Sequence, residues 1–401
     1  MRSRRPFKLL PPALAAVTVG SLVLGCSALP GDDSAEETTE ADRCEPVTPT
    51  QALPAERAVF GLNPDWAVES LQDFADIAGV SPGAAVTFID MPFNSEDSRN
   101  VLAAADQVAG MGGVLMLTLE PHLGLGAVND ESVAALTELL SEVNAKGVPV
   151  LLRFAHEMNG SWYPWGQQPE AYVEAFRTVA TAVREDTPGT EMIWAPNYGG
   201  GYPFSGGEFE AEPGASDFAL LDTDGDGELT ETDDHYAPYY PGDDVVDWVG
   251  MSLYHWGSTY PWESSEMPED DKFSDQLHGT YDGLAGDESI LPDFYSIYSE
   301  DRDKPLAIPE TAAFVTADAS PELALDIKRA WWRQIFSPEM HSEFPNLRMV
   351  NWFNWDKYEP EVDATVRWSV STDQQIADAF REDLPEWMAQ ADDVASCPAP
   401  D

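Results

Sequence analysis

From residue 58 onward, short apolar or β-branched runs recur along the chain, and several are separated by stretches with apolar residues three and four apart. The runs predict strands at AVFGLN (58–63), AAVTFID (84–90), GVLMLTLE (113–120), VPVLLRFAHE (148–157), MIWAPN (192–197), VVDWVGMSLY (245–254), KPLAIPE (304–310) and LRMVNWFNW (347–355). The spacing predicts helices over 130–146, 169–185 and 321–336. Strands that are apolar almost throughout must be buried on both faces, as in a parallel sheet covered by helices. Eight such units predict an α/β protein of the (β/α)8 TIM-barrel class over residues 58–395.

The segment before residue 58 carries a different pattern. MRSRRPFK leads into an apolar stretch, Leu9 to Leu24, too short and badly flanked for a stable membrane span, which predicts a signal peptide over 1–25. Val23-Leu24-Gly25-Cys26 resembles the bacterial lipobox, so Cys26 is the expected lipidation site. Ser3-Arg4-Arg5-Pro6-Phe7 also resembles a twin-arginine signal, and the export route stays open. The acidic, Thr/Pro-rich stretch that follows reads as a disordered tether over 26–57, giving an exported protein anchored by lipid alone at the outer face of a bacterial cytoplasmic membrane. Cys44 and Cys397 are then the remaining cysteines, and in an oxidising compartment they are expected to pair as a disulfide.

Charge narrows the partners. The whole chain carries a formal −51; loss of Arg2, Arg4, Arg5 and Lys8 with the leader leaves 17 basic against 72 acidic residues, or −55. Such a surface repels nucleic acid and anionic lipid and suits a neutral ligand or a cation. The hydrophobic fraction of 43% supports one large core, and a monomer is expected.

Active sites of (β/α)8 barrels lie at the carboxyl ends of the strands. The polar and aromatic residues that end the predicted runs are His122, Arg153, His156, Glu157, Asn197, Tyr254, Glu310, Trp352 and Trp355, and of these His122, Arg153, His156, Asn197, Tyr254 and Trp352 are expected to contact substrate. Two glutamates at the ends of strands four and seven, Glu157 and Glu310, suit glycosidic bond hydrolysis: one carboxyl protonates the leaving oxygen and the other attacks the sugar. Sugars present apolar C–H faces that flat rings match, so Trp162, Tyr163 and Trp165, crowded behind Glu157, read as a platform for a sugar chain.

RFAHEMNGSWYPWG resembles the acid/base motif of glycoside hydrolase family 26, and WAPN, YYPGDDVVDWVGMSLY and KPLAIPE follow in that family's order across most of 58–390. The resemblance implies a retaining (β/α)8 hydrolase of β-linked polysaccharide, most often β-1,4-mannan, with mixed-linkage β-glucan or xylan as alternatives, and no cofactor for catalysis. It implies Glu157 as acid/base, Glu310 as nucleophile, His156 and His122 as sugar contacts and Tyr254 beside the nucleophile. Two departures stand out. Glu310 is set in Pro309-Glu310-Thr311-Ala312 rather than the family's usual surroundings, and strict strand alternation would put His156 and Glu157 on opposite faces, so the strand must bend there.

A second motif, LDTDGDGELTETDD, lies in an insertion at about 200–240. Asp222, Asp224, Asp226, the Glu228 carbonyl and Asp233 occupy positions 1, 3, 5, 7 and 12 of an EF-hand-like loop, with Gly227 at position 6, which predicts a structural calcium site. A reading from another class is a non-catalytic carbohydrate-binding lipoprotein; it would have no need of paired glutamates at strands four and seven.

Overall fold

A computed structural model describes residues 46–258, 264–283 and 288–395. The signal peptide, Cys26, Cys44 and Cys397 lie outside the described residues, and with them the lipidation and disulfide expectations.

Eight parallel strands form a closed barrel: β1 (Ala58–Pro64), β2 (Ala84–Asp90), β3 (Val114–Glu120), β4 (Val150–Phe154), β5 (Thr190–Trp194), β6 (Trp248–Gly250), β7 (Leu306–Thr311) and β8 (Leu347–Asn354), with β8 pairing back to β1. A hairpin of β9 (Asp356–Glu359) and β10 (Ala364–Arg367) follows β8, and the short β11 (Met388–Ala389) joins β1 at its start. The helices are α1 (Pro49–Ala52), α2 (Leu71–Ala78), α3 (Ser95–Met111), α4 (Asp130–Ala145), α5 (Pro169–Asp186), α6 (Ser216–Leu221), α7 (Lys272–His278), α8 (Pro321–Ile335), α9 (Pro338–Glu343) and α10 (Gln374–Asp383). Among the described residues, no helix is long and apolar enough to cross a membrane.

Strand alternation sorts the core into two shells. Val59, Val86, Met116, Leu151, Ile193 and Met349 fill the barrel lumen, whereas Phe60, Leu117, Leu152, Trp194 and Val350 face the helices. Each helix returns a matching stripe; Trp331 and Trp332 of α8 and Phe380 of α10 are fully covered. Several helix starts are fixed by local polar chemistry. Ser70 and Asp73 form a reciprocal capping box on α2, and Asn94 and Asp97 do the same on α3.

The structure corrects the expected tether, which was drawn through residue 57. Residues 46–57 are part of the folded domain: Thr48 caps α1 in a capping box, Pro49 opens it, and Ala52 and Leu53 bury themselves against the barrel's amino-terminal end. Thr50 Oγ1 accepts a bond from the lumenal Trp248 indole at 3.0 Å and donates to Glu191 at 2.8 Å, which closes the barrel floor. The Pro/Thr-rich composition concealed this because a four-residue helix carries no periodic signal.

The strands are also shorter than expected at β4, β5 and β6, where the predicted runs continued into the catalytic loops. The insertion between β5 and β6 holds α6 and the acidic loop, and its first part hydrogen-bonds to the loop that follows β4.

Candidate active site

At the carboxyl end of β4 the chain leaves the strand after Phe154. Ala155 and Glu157 both take left-handed backbone angles, φ 44° and 54°, conformations that are costly for residues with a β-carbon and that concentrate at functional sites. The reversal breaks the alternation, which removes the conflict between His156 and Glu157. It is pinned by Ala155 N–H donating to Leu119 O and Glu157 N–H donating to Ala195 O. Asn159 adds a reciprocal pair: its side chain donates to Asn197 O and accepts from Asn197 N–H, both at 2.9 Å, so Asn197 serves to tie the β4 turn to the end of β5.

Glu310 sits on a register shift between Ile308 and Thr311 of β7, which turns its side chain into the mouth. Pro309 falls within that bulge, where a missing N–H costs no ladder bond. Both carboxylate oxygens have donors. Arg153 Nη1 pairs with Oε1, and Tyr254 Oη donates to Oε2 at 2.7 Å. Arg153 is fully buried and its other arm donates to Ser252 Oγ at 2.6 Å. Arg153 was expected to touch substrate; the structure instead spends it beneath the site, fixing Glu310.

Glu157 has a poorer environment for charge. Burial and the negative charge of Glu310 push its carboxyl upward, opposed by Arg153, Ser252 and the Trp162 indole, whose N–H donates to Oε2 at 3.1 Å. The two glutamates therefore differ in kind: one is held by a cation and a phenol, the other is desolvated beside an anion. That is the asymmetry an acid and a nucleophile require.

His156 is buried between Phe88, Tyr163 and Trp165, and burial and the Arg153 charge keep its imidazole well below the usual value, hence neutral. His122 is exposed at the rim, 3.7 Å from Glu120 and 3.8 Å from Asp90. The aromatic expectations divide. Trp162 is 38% exposed and Tyr163 partly so, and both can face a sugar. Trp165 is 0% exposed; it stacks under Tyr163 at 4.4 Å and donates to His156 O, so it supports the platform rather than forming it. Trp352 is corrected outright. As an outward residue of β8 it packs on Trp332 and Phe380, and its inward neighbour Phe353 contacts Tyr254 instead.

Sequence reading missed Glu120 and Asp90, which end β3 and β2 in register with each other. Burial and the charge of Glu310 raise the Glu120 carboxyl to about 7. A carboxylate closing an otherwise apolar strand was the available signal.

Asp222, Asp224 and Asp226 bring carboxylate oxygens within 4.8 Å of one another. The Asp222 Oδ1 atom is buried without a partner, while its Oδ2 accepts from Gly227 N–H. Asp233, expected as a ligand, accepts the Thr223, Asp224 and Thr230 N–H groups on its two oxygens. It stitches the loop ends together and is spent on backbone.

Residues 125–215 match the family model described as glycosyl hydrolase family 26. The chain is 25% identical over 322 residues, 78% of its length, to Endoglucanase H of Acetivibrio thermocellus, and 26% identical over 125 residues, 29% of its length, to Mannan endo-1,4-beta-mannosidase A and B of Caldalkalibacillus mannanilyticus. It spans only 28% and 18% of those proteins. A solved Cellulomonas fimi endo-beta-1,4-mannanase double mutant shares the fold with a TM-score of 0.52 at 16% identity, over 84% of this chain and 73% of that one. The matched segment carries the His156-Glu157 turn, and there, on a closed (β/α)8 barrel, the chain is similar to glycosyl hydrolase family 26.

Proposed function

We propose that this domain is a retaining glycoside hydrolase of β-linked polysaccharide, with β-1,4-mannan as its first substrate. The observation that carries this reading is the unequal pair at the mouth: Glu310, held by Arg153 and Tyr254, and Glu157, desolvated and facing Glu310. In the first step Glu157 gives its proton to the leaving glycosidic oxygen while Glu310 attacks the anomeric carbon. Bonding to the sugar removes the negative charge from Glu310, which relieves Glu157 of its anionic neighbour. Glu157 then accepts a proton from water, whose oxygen displaces Glu310 with net retention. Neutral His156 and the exposed face of Trp162 position the sugar. The names of the relatives leave glucan as the second substrate to examine.

Side-by-side hydrolysis of galactomannan, glucomannan, lichenan and xylan tests the substrate, with NMR of the first-formed anomer. Retention on a β-glycan is expected. Inversion in one step, or binding without cleavage of all four, would refute the reading.

We also propose that calcium orders the acidic loop. Asp222, Asp224 and Asp226 with the Glu228 carbonyl supply the hard oxygen set this ion takes, and the unpartnered Asp222 Oδ1 suits it. The ion would stabilise the insertion and take no part in the chemistry. Calcium at about 100 times its dissociation constant contributes about 2.7 kcal/mol if it binds the folded state alone, so thermal unfolding should rise by several degrees over EDTA. Asp222→Ala with Asp226→Ala should erase that difference, and equal melting of the unaltered protein in calcium and EDTA would dismiss the site.

A further inference from the structure

The Trp162 indole that donates to Glu157 is not held by its own loop alone. Its ring lies over Gly160, where any β-carbon would fall inside the six-membered ring's contact distance, so glycine is required beneath it. The opposing contact comes from the insertion. The Phe204 ring meets Trp162 edge-on, centroids 5.0 Å apart at 74°. Phe204 is itself fixed in a left-handed conformation, φ 56°. Its carbonyl accepts from Ser161 Oγ at 2.5 Å, and its ring abuts Tyr202. Around it, Gln167 bridges the two segments by donating to Pro203 O at 2.7 Å and accepting from Ala211 N–H at 2.8 Å, while Phe209 N–H donates to Ser161 O. Each bond joins the β4 loop to the insertion.

We infer that Phe204 is a positioning residue for the acid/base: by clamping the Trp162 ring against Gly160 it fixes the indole N–H on Glu157 Oε2. The inference rests on the reading of Glu157 as that acid/base. A hydrogen bond to the charged form favours that form, so this N–H limits how far burial and Glu310 can raise Glu157. The other groups facing Glu157 are Glu310 from β7, Arg153 from β4, Glu120 from β3, Ser252 and Tyr254 beyond β6, and Tyr163 from its own loop, with His156 adjacent in the chain. None of them contacts Phe204 in a ring pair, so a Phe204 variant addresses the indole selectively.

The test follows the Glu157 carboxyl directly by NMR of protein labelled with 13C-carboxyl glutamate, assigned by its loss in Glu157→Gln. Trp162→Phe, which keeps a ring and deletes the N–H, should move the titration upward by about half a unit to one unit. Phe204→Leu, which preserves most of the volume, should move it the same way, and the double variant no further than the larger single shift. Phe204→Tyr should titrate with the unaltered protein. The basic limb of kcat/KM should rise in pH in step with the NMR shifts. If Phe204→Leu titrates with the unaltered protein, or if Trp162→Phe does, the positioning role is overturned. If the titrations behave as stated but the unaltered protein cleaves no β-glycan, the functional reading fails while the clamp stands.

Discussion

Glu310→Ala is expected to lose at least about 10⁴-fold in turnover on every unmodified polysaccharide, because the group assigned to bond the anomeric carbon is gone. The cavity left by the side chain should admit azide, which would attack an activated aryl β-glycoside directly and release an α-glycosyl azide, inverted at the anomeric carbon. Glu157→Ala should fail in a different way. Its nucleophile is intact, so a good leaving group departs without protonation and the glycosyl-enzyme accumulates in a burst; azide then traps that intermediate as a β-glycosyl azide of retained configuration. The stereochemistry of the two azides, read by proton NMR, assigns the roles independently of rate. Swapped products would exchange the assignment, and identical products from both variants would abolish it.

Arg153→Met is expected to combine a large loss of activity with a large loss of stability. Arg153 is wholly buried, pairs with Glu310 and reaches Ser252 with its other arm. Removing the cation leaves Glu310 covered and served by Tyr254 alone, and breaking a buried pair from one side typically costs about 3–5 kcal/mol. Turnover should fall by about 10²–10³-fold. Arg153→Lys should recover little, since one ammonium cannot reproduce the two-armed contact. Denaturant unfolding and kcat at one pH check both halves; an Arg153→Met protein as stable as its parent would contradict the role given to the pair.

The barrel and its paired glutamates were legible because both leave local signals: apolar runs of strand length, and carboxylates at their carboxyl ends. What could not be read was set by departures from regular backbone. Strand alternation places Trp352 by parity, yet parity can be counted only once the register is known, and here it turns that ring outward while Phe353 faces Tyr254. Trp165 looked like a platform because composition does not distinguish a ring under another ring from a ring in solvent. Arg153 was visible as a polar residue in an apolar strand, but its partner lies 157 positions away on β7. Phe204 had no signal, being one aromatic in a Gly-rich insertion whose path is decided by tertiary contacts.

The floor of the barrel has a consequence for how the domain can be displayed. Residues 49–53 and 388–395 meet beneath the lumen, with Ala395 N–H donating to Ala52 O and Arg57 paired with Asp393. Both ends of the folded domain thus leave from the pole opposite Glu157 and Glu310. A support coupled to either end, whether a bead or a partner domain, attaches behind the barrel, and the mouth carrying Glu157 and Glu310 faces away from it.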